Sequence, residues 1–239
     1  MTTQRRVQQQ PAFILHHRPF RDTSQILDVL SRDHGKLALV ARGSRGSRSR
    51  LKGILRPFMP LDISWVQKTD LGTLTGAEVR GAPLSLTGEA LLCGYYVNEL
   101  LMRFLHRHDP QPEIFGLYAR TLTALGAAVD VAVCLRQFEL ELLRQVGYAL
   151  NLGHDAVTHE ALDESRHYEY RMEQGPVGVD RSDGPLVFPG AVLAAIDGGD
   201  LERPEVLKAA NRLLREVIDF HLGGKVLKTR KVLMDIRRL

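Results

Sequence analysis

Residues 12–42, AFILHHRPFRDTSQILDVLSRDHGKLALVAR, decide the fold. Ala12–Phe20 and Ser24–Ser31 read as two strands. The Asp33-His34-Gly35 turn separates the second from a third strand, Lys36–Arg42. Further on, Leu61-Asp62-Ile63-Ser64-Trp65 alternates apolar and polar residues, the period of a half-buried strand. The turn Thr69-Asp70-Leu71-Gly72 leads to a last strand near Thr73–Val79. Five short strands separated by turn residues predict a small closed barrel. An OB-fold is the commonest five-stranded candidate, and an SH3-like barrel fits the same pattern.

Directly after the third strand, Arg42–Lys52 (RGSRGSRSRLK) carries five positive charges and no acid. Serine and glycine fill the gaps, so the segment buries little apolar surface and reads as a mobile loop. A row of arginines suits a polyanion with many equivalent phosphates and suits a single small substrate poorly. A solvated charge run beside an unrelated barrel is the other reading. The barrel favours the first, because OB-fold loops clamp single strands and aromatics serve as stacking platforms. Phe13, Phe20, Phe58 and Trp65 are at hand, and Trp65, alternating with Asp62 and Ser64, belongs to the core.

The charge distribution agrees with a polyanionic partner. The net charge is +4, yet residues 1–80 hold 14 Lys+Arg against 6 Asp+Glu, while residues 81–239 hold 18 against 22. The positive excess therefore lies in the first third, which points to nucleic acid or a membrane surface. A membrane is the poorer partner, since no basic amphipathic helix with a bulky apolar face lies near the loop.

After Pro83 the apolar period becomes helical. Thr87 is placed to cap a helix running to about His106, apolar around most of its circumference and so central. Pro110 and Pro112 end it. Helices follow near Glu113–Leu125 and Val131–Val146, closed by Gly126 and Gly147. In the latter, Leu135, Phe138, Leu142, Leu143 and Val146 form an apolar stripe opposite Arg136, Gln137, Glu139, Glu141 and Arg144. Residues 151–190 are polar and mixed, with a short hairpin at Tyr168–Met172 and Pro176–Val179. Two more helices lie near Ala191–Ile196 and Pro204–Leu222, the second stopping at Gly223-Gly224. The tail from Lys225 holds six basic residues and one acid, and its apolar residues Val226, Leu227, Val232, Leu233 and Ile236 predict that part of it packs. The expected class is α+β and multidomain. A five-stranded, nucleic-acid-binding barrel, most commonly an OB-fold, is expected over residues 1–82, and a helical domain with an irregular middle segment at 151–190 over residues 83–239.

Motifs for chemistry are missing. The chain has no GxxxxGK[ST], no GxGxxG after a strand and no GxSxG. His16 and His17 are strand neighbours pointing to opposite faces, so they cannot chelate one ion together. His106 and His108 read as solvated side chains at a helix end. His154, His159 and His167 lack metal-ligand spacing. Glu139/Glu141 and Asp163/Glu164 join no nucleophile, and Cys93 and Cys134 read as buried thiols. The expectation is a protein that is not an enzyme, with no catalytic residue, metal or cofactor. The start, MTTQRRVQQQ, lacks the apolar core of a signal peptide, and no run reaches the ~20 apolar residues that span a bilayer, so a cytoplasmic protein is expected.

Taken together, AFILHHRPFRDTSQILDVLSRDHGKLALVARGSR and SRLKGILRPFMPL resemble the amino-terminal half of RecO, the bacterial DNA repair and recombination mediator. YYVNELLMRFL, LRQFELELLRQVGY and HLGGKVLKTRKVL resemble successive parts of its helical domain and carboxy-terminal segment. The resemblance covers nearly the whole chain, in order. It implies an OB-fold followed by a helical domain, and binding of single- and double-stranded DNA. It also implies nucleotide-free annealing of complementary strands and a place in the RecF pathway, at the nucleoid. The implied partners are RecR and the single-stranded-DNA-binding protein (SSB), whose acidic, apolar-ended C-terminal tail docks on the helical domain. RecA is an indirect partner, loaded onto SSB-coated DNA.

Many members of that family carry a four-cysteine zinc module in the helical domain. Residues 151–190 contain no cysteine, so no structural zinc is expected here. The candidates for DNA phosphates are Arg42, Arg45, Arg48, Arg50 and Lys52, with Arg18, Arg21 and Arg56 in support. The cation expected to meet the SSB tail is Arg136, in the LRQFE stretch, with Arg144 second. Both also fit ordinary pairing along a helix surface. The rival classes are a non-catalytic OB-fold RNA- or DNA-binding protein without a recombination role, and an enzyme seated in residues 151–190.

Overall fold

The structure, a computed structural model, describes residues 5–82, 84–127 and 130–236. Its strands are β1 (Arg5–Phe20), β2 (Ser24–Ser31), β3 (Gly35–Ala41), β4 (Leu61–Gln67), β5 (Leu71–Val79), β6 (His167–Arg171), β7 (Gly175–Val179) and β8 (Val187–Pro189). The helices are α1 (Gly88–Phe104), α2 (Pro112–Gly126), α3 (Val131–Gln145), α4 (Gly190–Asp197), α5 (Pro204–His221) and α6 (Lys228–Ile236). Packing divides the chain into two compact units, residues 1–129 with 227–239, and residues 130–226. No helix of the described residues is long and apolar enough to cross a membrane.

In the first unit, β1 to β5 close into a barrel in the order β1-β2-β3-β5-β4, with β4 returning to β1. The β3–β5 pair is parallel and the other four pairs are antiparallel. This is the OB-fold connection, and it leaves no place for the SH3-like alternative. Alternation along β2 puts Leu27 and Val29 into the barrel and turns Asp28 to the outer wall. Trp65, 1% exposed, fills the core as expected.

β1 starts seven residues before the predicted Ala12, because RRVQQQ shows only Val7 as an apolar signal. Its first half pairs with β4 and its second with β2. Register breaks between Val7 and Gln10 and between Ile14 and His16 bend it around the barrel. At the second break the Leu15 carbonyl turns outward, and Asn98 Nδ2 donates to it at 2.8 Å. The Tyr118 hydroxyl donates in turn to Asn98 Oδ1 at 2.7 Å. This buried chain ties α2 and α1 to β1. Burial pushes the Tyr118 hydroxyl well above its ordinary range, so it stays a donor.

Thr87 precedes α1, as predicted, but its side chain makes no capping bond. The tail packs as expected at Leu227, 1% exposed, and continues as α6. Val226 and Val232 remain exposed, at 72% and 46%. The Glu99 carboxylate on α1 accepts from Lys228 N at 3.1 Å, Thr229 N at 2.9 Å and Thr229 Oγ1 at 2.7 Å, which caps the start of α6.

In the second unit, Asp130 caps α3 by accepting from Ala132 N and Val133 N. Helices α3, α4 and α5 end alike, on Gly147, Gly199 and Gly223 at φ of +87°, +76° and +61°. The following amides of Tyr148, Asp200 and Gly224 donate to Leu143, Ala195 and Asp219, six-residue closures of the Schellman type. The hairpin expected in residues 151–190 is β6–β7, and β8 joins it as an unforeseen third strand. Asp155, 7% exposed, organises this stretch. It accepts from Val157 N at 2.8 Å, Thr158 N at 3.2 Å and Gly178 N at 3.0 Å. Burial alone would push its carboxyl up, but these bonds outweigh burial and hold it below the ordinary value.

Candidate nucleic-acid interface

Beyond Ala41 the chain forms a loop built of successive turns. The amides of Gly46, Ser49 and Lys52 donate to the carbonyls three residues back. Arg45 N donates to Thr23 O at 2.8 Å, which joins these turns to the β1–β2 connection. Further on, Leu55 and Met59 enter the barrel core, with Leu51 and Ile54 packed against it. The apolar residues that hold the segment begin at Leu51, where the basic run ends. Residues 42–60 thus plug one end of the barrel and hold their cations outside.

Arg42, Arg45, Arg48, Arg50, Lys52 and Arg56 are all exposed, as are Arg18 and Arg21. Among the described residues no ion pair engages the six from Arg42 to Arg56, nor Arg21; Arg18 lies 3.5 Å from Asp28. The Arg45 tie brings Arg21 to the same end of the barrel as the loop cations. Exposed guanidinium and ammonium groups of this kind are donors suited to anionic oxygens. The stacking platform is small. Phe13, Phe58 and Trp65 are buried. Phe20 is partly exposed, and the Arg21 guanidinium lies 5.3 Å from its ring centroid.

The second unit treats its cations differently. Arg136, expected at the rim of a peptide site, is only 12% exposed. Its Nη2 lies 2.5 Å from Glu139 Oε1, and its Nη1 donates to Asn211 on α5. Glu139, expected on a solvated face, is 1% exposed. The stripe pattern misplaces it because α5 covers that face of α3. Arg144 is 63% exposed and makes two hydrogen bonds to Glu141, at 2.8 and 2.6 Å. Four residues on, Tyr148 stacks on His221 at 4.0 Å, and Phe220 meets the same imidazole edge-on. Tyr148 and Phe220 are 43% and 45% exposed. Burial pushes the His221 imidazole down, with Glu173 opposing, which favours its neutral form in this apolar patch.

Cys93 and Cys134 are buried thiols not joined in a disulfide. No group of three or more His, Cys, Asp or Glu among the described residues could hold a metal ion, and His154, His159 and His167 do not gather.

The sequence matches two family models. Residues 5–82 match the one described as recombination protein O N terminal, and residues 85–231 the one described as recombination protein O C terminal. The curated relatives it matches include several named DNA repair protein RecO. That of Azoarcus sp. (strain BH72) is 43% identical over 243 residues, covering 100% of both chains. That of Burkholderia orbicola (strain AU 1054) is 43% identical, covering 100% of this chain and 86% of the relative. That of Nitrosococcus oceani is 43% identical, covering 98% of this chain and 96% of the relative.

Proposed function

This chain belongs to the recombination protein O family of DNA repair proteins, and from that premise we propose that it is a mediator that anneals DNA strands by neutralising their phosphates. Its role lies in DNA repair and recombination. The observation that carries the finer reading is the row of exposed cations, without acid partners among the described residues, that residues 42–60 hold at one end of the barrel. Two complementary strands repel each other along their backbones. A protein that neutralises several phosphates on each lowers that barrier, and base pairing then supplies the favourable energy. The step needs no nucleotide and no covalent chemistry, so the protein works by binding and not as an enzyme.

The salt dependence of binding tests the reading. If about five phosphates are neutralised, log K should fall against log salt with a slope of about −3.5 to −4.5. Replacing Arg42, Arg45, Arg48 and Arg50 by alanine should flatten the slope by about 3 and slow annealing of SSB-coated complementary strands. An unchanged slope overturns the loop's role. Strong binding without annealing would favour a nucleic-acid-binding protein outside recombination.

The proposal includes RecR and SSB as partners, with RecA loading as the outcome, and residence at the nucleoid. The SSB tail is acidic and apolar at its end, so its receptor needs an apolar surface beside a cation. Arg144, with Tyr148 and Phe220, supplies both. Arg136 is engaged by Glu139 and Asn211 and serves the second unit's interior instead.

A further inference from the structure

Asp28 sits in the apolar run Ile26-Leu27-Asp28-Val29-Leu30 of β2, on the outer wall of the barrel, with its side chain 6% exposed. Three basic side chains converge on it. His16 Nδ1 and Arg18 Nη1, from β1, lie 3.6 and 3.5 Å from Oδ2, and Arg107 Nη2 lies 3.9 Å from Oδ1. The Asp28 Oδ2 atom is buried without a hydrogen bond.

Backbone contacts bring Arg107 here from the α1–α2 connection. It bridges to Lys36 on β3, and His108 N donates to Lys36 O at 2.9 Å. Lys36 Nζ is committed to Met102 O at 2.7 Å. Burial pushes the Lys36 ammonium down, Arg107 adds to that, and Asp28 opposes both.

A buried carboxylate placed for stability alone would close on its partners at ~2.7–2.9 Å, because only short, hydrogen-bonded pairs offset desolvation. These distances are longer. One carboxylate faces two permanent guanidinium charges, so the cluster keeps an excess of positive charge. Arg18 and Arg107 remain 52% and 49% exposed, with His16 beside them at 58%. About half of each guanidinium side chain is therefore open to solvent while the Asp28 carboxylate lies 3.5–3.9 Å away. A phosphodiester oxygen can bridge two such forks.

We propose that Arg18 and Arg107, held together by Asp28 with His16 at the edge, form a second phosphate-binding site for a nucleic-acid backbone, on the side wall of the barrel. The proposal rests on the nucleic-acid reading above and extends it beyond the loop. Asp28 is a positioning residue: it holds the guanidiniums and does not touch the phosphate.

The test is the salt slope for oligonucleotide binding, with each variant's thermal midpoint measured alongside. The Arg18→Ala/Arg107→Ala double variant should flatten the slope by about 0.7–0.9, the value of one phosphate, and weaken binding about tenfold. Asp28→Asn removes a negative charge, so general electrostatics would strengthen binding. A positioning role weakens it instead, at an unchanged or higher thermal midpoint. Stronger binding by Asp28→Asn overturns the positioning role. An unchanged slope in the double variant, beside a flattened slope in the loop variant, overturns the site and leaves the loop reading standing. Unchanged slopes in both overturn the loop and the side wall alike and place the phosphate contacts elsewhere on the protein.

Discussion

The barrel end and the second unit are both rich in arginine, and they use it in opposite ways. In the second unit Arg136, Arg144, Arg171, Arg181 and Arg203 each face an acid of the same unit. At the barrel end, Arg42, Arg45, Arg48 and Arg50 project from a plugged turn with no acid opposite them among the described residues. Where two cations share one acid, as Arg18 and Arg107 share Asp28, a positive excess remains, but a cation paired one-to-one with its own acid gains little from a phosphate, because binding must first break the existing pair. A cation without one releases counterions on binding. The number of arginines is therefore a poor guide to a site, and their pairing is a better one.

The contrast is sharpest in stability. Arg136→Ala would take the guanidinium away from the buried Glu139 carboxylate and from Asn211. A loss of about 3–5 kcal/mol is expected in chemical denaturation. Alanine at any one of the exposed loop arginines should change stability by no more than about 0.5 kcal/mol. If Arg136→Ala cost under ~1 kcal/mol, Arg136 would be a surface cation after all and the contrast between the regions would fail.

Much of this was legible in the sequence, for reasons that can be named. Leu61–Trp65 shows its strand because one face is buried, and the strand extends two residues further, to Gln67. Gly147 and Gly223 mark helix ends because the closing turn needs a positive φ. RRVQQQ was not legible, since its partner β4 supplies the pairing and only Val7 turns inward. The plug was missed because its apolar residues, Leu51 to Met59, begin only at the end of the charge run. Arg107 lies between His106 and His108, which read as solvated side chains at a helix end, and nothing in that stretch singled it out. The available clue was Asp28, an acid inside an apolar strand, which requires cations from elsewhere. Glu139 was misplaced for a related reason: periodicity gives a helix its stripe but does not show which neighbour covers the other face.

The basic tail falls between the two cases. Glu99 receives α6 through the amides of Lys228 and Thr229, and Arg103 stands 3.7 Å away. Burial alone would push the Glu99 carboxyl up. The bonds from Thr229 and Lys228, with Arg103, outweigh it and hold the group below its ordinary 4.5. A carboxyl lowered in the folded state contributes fully above its unfolded value and loses that contribution as pH falls through the folded one. The tail should thus be held at neutral pH and loosen below about pH 4.5. Glu99→Gln should cost about 1 kcal/mol at pH 7 and progressively less in acid. Hydrogen exchange at the α6 amides can follow this. Equal protection at pH 7 and in acid would mean that the carboxylate does not hold the tail, and α6 would then be packed without help from its charge.

The smallest stability effect is expected at Arg144, where the two uses of arginine meet. Its pair with Glu141 is well formed but exposed on the arginine side. Pairs of this kind are worth ~0.3–0.5 kcal/mol, so Arg144→Ala should scarcely move the thermal midpoint. Its effect on binding should be larger. An acidic peptide with an apolar end offers Arg144 a carboxylate together with contact to Tyr148 and Phe220, which Glu141 alone does not provide. Arg144→Ala should weaken such a peptide several-fold, and Tyr148→Ala comparably, while the salt slope for DNA stays unchanged. Undiminished peptide affinity in both variants would place the tail elsewhere on the protein. A slope that moved with Arg144 would mean that even a cation with its own acid is available to phosphate, and the distinction between the two regions would then rest on position rather than on pairing.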